Sequence, residues 1–170
     1  MVPHASLGCC TGVGVPVSDE RESWLRNTIA QNGWAVVALD AERAHAFTVG
    51  LWHSYGLPEL AMFGLAPADM QIWLNSAVEV VRQRGGILDG EPFDGVLGGF
   101  PVLLQEIHLS WYESLFDAMG AYYGVFEVPV RQVVWPDRHG RWPWESVATE
   151  ACRLGQPSSW LPPSPNRNAP

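Results

Sequence analysis

The 170-residue sequence predicts an α+β fold, an antiparallel or mixed sheet with flanking helices, and three features carry that expectation. Short apolar runs at 34–39, 46–52 and 60–64 succeed one another across brief polar turns, which sets strands side by side without the long crossovers of a doubly wound parallel sheet. Segments of helical periodicity, one opening at Pro67 and one at Ser110, interrupt the strands. Apolar residues form 47% of the chain against 16% charged, enough to fill a core and too many for a largely disordered chain. The expected layout is an N-terminal arm over 1–17, a single domain over 18–155 and a proline-rich C-terminal tail over 156–170.

Taken in order, Ser18 suits the cap of a helix over 19–32, with Trp24, Leu25, Thr28 and Ile29 on one side and Gly33 as the stop. The runs 34–39 and 46–52 read as strands joined by the polar connection 40–45; a third strand over 60–64 follows the turn at 54–58. Pro67 fits the first turn of a long helix, where a missing N–H loses no partner. Met70, Trp73, Leu74, Ala77, Val78 and Val81 form its apolar stripe, and Gly85-Gly86 ends it. A fourth strand runs over 100–107. Ser110 and Glu113 have the spacing of a capping box for a helix that carries Leu115, Phe116, Met119, Tyr122 and Tyr123 and stops at Gly124. A fifth strand at 128–135, a turn at 137–140 and a short helix at 145–154 complete the domain. Pro157, Pro162, Pro163 and Pro165 predict an extended tail anchored by Trp160.

Charge and composition exclude several functions. A net charge of −8 argues against a nucleic-acid or anionic-membrane surface. All ten basic residues are arginine, so no lysine is present to form a Schiff base, anchor pyridoxal phosphate or serve a P-loop. Cys9, Cys10 and Cys152 do not make a disulfide framework, although the vicinal pair can be reactive. No run approaches the ~20 apolar residues of a membrane span. A cytoplasmic protein with reduced thiols is expected.

Three segments resemble a known family: Phe-Thr-Val-Gly-Leu-Trp-His at 47–53, continuing through 56–60 and 63–65; Ser110-Trp-Tyr112; and Val133 through Trp144. Over roughly residues 33–160 the chain is similar to the bacterial domain-of-unknown-function family 4262. The resemblance implies a bacterial source and a compact domain, and it implies no activity. His108 stands where that family often has an acidic residue, so no role transfers to it. A looser likeness runs from Phe47–Leu51 through a Pro-Glu turn, a strand and a helix to Leu97–Val102, and it points to flavin-reductase-like split barrels. It implies a split barrel whose strand and loop near 47–53 cradle FMN, with arginine or helix N-termini taking the phosphate.

His53 and Glu59 are the expected proton-transfer residues, since imidazole titrates near neutrality and a neighbouring carboxylate can orient it or act as base. Their structural alternatives are a ring pinning a loop carbonyl and a solvated turn residue. Asp137 is the third acid–base candidate, with an Asx-type turn as its alternative. Arg141, Trp135, Trp144 and Tyr112 are expected to bind substrate, because a guanidinium beside aromatic rings holds an anionic or planar group; the alternative sends the tryptophans to the core. The histidine spacing supports no metal site, and one would require His53, Glu106 and His108 to converge. The resulting expectation is a small-molecule-binding protein with an aromatic-lined pocket and no cofactor, catalytic only through acid–base chemistry. An FMN-binding redox protein and a non-catalytic interaction module with a flat tryptophan patch are the alternatives. A homodimer is left open.

Overall fold

The computed structural model describes residues 18–124 and 127–163; the expected arm over 1–17, with Cys9 and Cys10, and the tail beyond 163 lie outside the described residues. Six strands form one sheet: β1 (Ala35–Leu39), β2 (His45–Val49), β3 (Glu59–Phe63), β4 (Phe93–Leu97), β5 (Phe100–Glu106) and β6 (Val130–Val134). Their order is β1-β2-β3-β6-β5-β4. Every neighbouring pair is antiparallel except β3 and β6, which run parallel. The class is therefore α+β with a mixed sheet. β1 and β4 remain as edges and the sheet does not close, so the split-barrel alternative is corrected. The chain inserts β6 at the centre, parallel to β3, and among the described residues no strand joins the two outer ones.

Helix α3 (Pro67–Arg84) covers one face, packing Met70, Leu74, Ala77 and Val78 on Val36, Leu60, Met62, Leu104 and Val133. On the other face lie α1 (Ser18–Asn32) and the pair α4 (Tyr112–Leu115) and α5 (Asp117–Tyr123). There Leu25, Ile29, Phe116 and Met119 meet Val37, Phe47, Ala61 and Phe63. Alternation along β3 explains the division: Leu60 and Met62 point toward α3, Ala61 and Phe63 away from it. With both faces covered, β2 and β3 are buried at every residue. Phe47 and Phe63, both without solvent exposure, contribute about 1.5–3 kcal/mol each through burial.

Several expectations change. Trp24 is exposed while Leu25 and Ile29 turn inward. The predicted strand 46–52 stops at Val49, and Leu51–Tyr55 forms a short helix, α2. Gly50 makes the change of direction at φ 112°, and a Cβ there would sit 2.9 Å from the Gly33 carbonyl oxygen. β4 was not expected. Asp94 and Gly95 weaken its strand signal, but Gly98-Gly99 between Leu97 and Phe100 forms a two-residue hairpin turn. The capping box does not form: a single 3-10 turn (Leu109–Trp111) precedes α4, and the His108 ring accepts from Ser110 N instead. The closing helix is the shorter α6 (Glu150–Gly155). Beyond it the segment lies against the sheet. Gln156 bridges Trp135, its Oε1 accepting from the backbone N and its Nε2 donating to the backbone O. Ser159 is buried against Gln132, and its carbonyl accepts from His108 N.

Candidate functional site

The sequence-predicted residues fall at two ends of the sheet. At one end, Glu59 opens β3 and is completely buried. Its Oε1 accepts from Gly50 N at 2.9 Å, Trp52 N at 3.2 Å and the Tyr123 hydroxyl at 2.6 Å; its Oε2 accepts from the Thr48 hydroxyl at 2.6 Å. The carboxylate thus satisfies backbone donors at the start of α2, groups that have no partner within the helix. Burial pushes its pKa above 4.5, although all four donors pull it down. Tyr123 is pushed far above its ordinary range, first by burial and then by the Glu59 charge. The same hydroxyl accepts from His53 N and Gly50 N. His53 itself lies exposed in α2, its ring edge-on to Tyr122 with centroids 6.3 Å apart. A backbone link through Tyr123 therefore joins His53 to Glu59; no hydrogen bond joins their side chains among the described residues.

At the other end, Asp137 organises the turn after β6. Its Oδ1 accepts from His139 N and Arg141 N, and its Oδ2 from Thr149 N. Burial works to raise its pKa, and these three backbone donors outweigh it and hold the carboxyl below 3.8. Arg141 turns back to donate to the Val147 carbonyl. Trp135 is buried and donates its indole N–H to the Phe63 carbonyl. Trp144 is 53% exposed, stacked on Trp142 at 5.5 Å and edge-on to Trp160 at 6.1 Å. Nearby Cys152 is fully buried and its thiol is pushed up to about 11 by burial first, with the Asp137 charge adding.

The expected grouping of His53 with Arg141 is not what the fold brings about. Trp135, the residue after β6, is four residues from Arg131, or about 13 Å at strand rise, and His53 and Glu59 belong to the Arg131 end while Arg141 lies beyond Trp135. Tyr112 is buried, and its hydroxyl accepts from Val130 N. Among the described residues no three His, Cys, Asp or Glu side chains group so as to hold a metal ion. The FMN cradle expected near 47–53 meets a physical obstacle. The backbone donors a phosphate needs at the start of α2 already bind Glu59, whose charge would repel it. No helix among the described residues is long and apolar enough to cross a membrane.

A cleft of about 430 Å³ opens at the Glu59 end, on the α3 face. Leu60, Val81, Ile87 and Leu104 form its floor, and Leu57 and Pro58 form one wall. Arg131 and Glu91 supply its charges. A second cleft of about 460 Å³, bordered by Tyr55, Glu79 and Arg82, shares Leu57 and Gly85 with the first. There the Arg82 guanidinium lies 4.2 Å from the Tyr55 ring centroid and 5.3 Å from that of Trp34. The walls of the first cleft are mainly aliphatic, whereas an aromatic-lined pocket was expected. The tryptophans go to the core, to the surface or onto Arg82. Sequence reasoning missed Arg131, and one signal marked it: a charged residue inside the apolar strand 128–135. Its Nη1 donates to the Ile87 carbonyl, and no other hydrogen bond or ion pair engages it among the described residues.

The fold and clefts define an open mixed-sheet α+β protein with an arginine-bearing groove at one sheet end. The chain belongs to the family described as Domain of unknown function (DUF4262), which matches residues 28–149. No curated protein and no solved structure matches it.

Proposed function

We propose that this protein binds a small amphipathic organic acid in the cleft between the α2–β3 loop and the end of α3. The observation that carries the reading is Arg131: a guanidinium with nitrogens left over after its bond to Ile87, beside an apolar floor. Arginine presents a fork of donors suited to a carboxylate, and the floor takes the hydrocarbon part. Binding rather than acid–base catalysis is favoured because Glu59 points to the opposite sheet face with both oxygens occupied. Isothermal titration of the full chain with a panel of branched and aromatic carboxylates, each paired with its alcohol, tests the reading. The carboxylates should bind at least tenfold tighter than the alcohols, Arg131→Met should remove that preference, and Leu57→Trp should block the cleft. Equal affinity of acid and alcohol, or no effect of Arg131→Met, would overturn it.

A second reading, a non-catalytic interaction module, rests on the exposed Trp144 and its contacts with Trp142 and Trp160. Such an indole cluster suits a protein contact. Its test is sedimentation velocity over a concentration series. Self-association that Trp144→Ser abolishes supports it, and a monomer at all concentrations counts against a homodimer.

A further inference from the structure

The charges of the 430 Å³ cleft go further than a single carboxylate. Arg131 and Glu91 both line it, and they form no ion pair with each other among the described residues. Glu106 stands opposite Arg131 in the β5–β6 register and is also unpaired with it. Asp89, the other nearby carboxylate, is engaged by Glu106 N. Glu91 sits in the turn after Ile87, its side chain exposed, and among the described residues it has only a long 3.4 Å contact from Leu88 N. A cleft that holds opposite charges unpaired, with an apolar floor beside them, complements a ligand that carries both charges itself.

We infer that the ligand is a small zwitterion, an α-amino acid with an apolar side chain. Its carboxylate lies on Arg131, its ammonium on Glu91, and its side chain over Leu60, Val81 and Leu104. The inference rests on the cleft-binding reading and adds the ammonium partner. A plain acid forgoes the contact with Glu91, and a plain amine forgoes the contact with Arg131, so the zwitterion is the one ligand of the three that gains both.

Titration of the full chain with leucine, 4-methylpentanoate and isopentylamine tests it, because the last two each lack one charged group of the first. Leucine should bind at least tenfold tighter than either. Glu91→Gln should bring leucine down to the level of 4-methylpentanoate while changing the latter less than twofold, and circular dichroism should report an unchanged fold. If 4-methylpentanoate binds as tightly as leucine to the unmodified protein, the zwitterion inference fails and the organic-acid reading survives. If isopentylamine binds as tightly as leucine, the inference fails through Arg131 instead. If none of the three binds at millimolar concentration, the cleft reading itself fails for these ligands and the inference falls with it.

Discussion

Gly64 follows β3 at φ +80°, and a Cβ built there would lie 2.6 Å from the carbonyl carbon and oxygen of Gly155 and 2.7 Å from its Cα. Gly64→Ala therefore asks for two things at once. The left-handed backbone costs a non-glycine residue about 1–2 kcal/mol. The contact requires the end of α6 to move outward, and overpacking of this kind costs about 1–3 kcal/mol more. The sum is a loss of about 2–5 kcal/mol. Gly56→Ala is the control, since its φ is +65° and nothing lies within 4 Å of its Cβ position; only the backbone cost of about 1–2 kcal/mol applies. Urea denaturation of both variants reads the two losses from the transition midpoints at unchanged slope. The movement of α6 should also weaken the hold of Gln156 on Trp135, visible as faster hydrogen exchange of the Trp135 amide. Equal losses for the two variants, with unchanged Trp135 protection, would refute the close approach of β3 and α6.

Four further outcomes follow from the buried polar groups. Tyr123→Phe removes a 2.6 Å bond to the Glu59 carboxylate and should cost about 1.5–3 kcal/mol in the same denaturation assay. Glu59 binds its proton more tightly in the folded state than in the unfolded one. Its contribution is then complete below pH 4.5 and is lost as pH rises through the folded value; the wild type should show this decline and Glu59→Gln should lack it. Asp137 has the opposite sign: with its folded pKa below 3.8, its stabilisation is present above that value and disappears as pH falls through the lowered one. Asp137→Asn should flatten that acid limb of stability against pH, and an unchanged limb would assign acid unfolding elsewhere. The Cys152 thiol, buried and raised to about 11, should resist iodoacetamide at pH 8 in the folded protein and react on unfolding, as peptide mapping by mass spectrometry will read.

The reading of the candidate site from sequence went only as far as local chemistry allows. His53, Glu59 and Asp137 can be recognised as titratable residues beside turns, but solvation separates them. Glu59 is enclosed because Thr48, Gly50 and Tyr123 converge on it from β2, α2 and α5; two of these partners are ten or so residues away and the third is 64 residues away. Trp135 and Trp144 are alike as residues, yet one hydrogen-bonds to Phe63 inside the core and the other faces solvent. Arg131 became visible only through the cleft that Leu57 and Val81 form around it.

Sequence by itself determined the elements whose causes are local. The stripe from Met70 to Val81, Pro67 at its start and Gly85 at its end specify α3, and the apolar runs specify β1, β5, β6 and most of β3. These depend on periodicity and caps within a few residues, which a chain carries wherever it folds. Tertiary structure decided the rest. The parallel seating of β6 against β3 arises from packing between residues 71 apart in the chain, and the stop of β2 at Val49 depends on a carboxylate ten residues further along. The open edges at β1 and β4 and the unpaired charges of the cleft have the same origin: they depend on which surfaces meet, and side-chain spacing along the chain does not encode that contact directly.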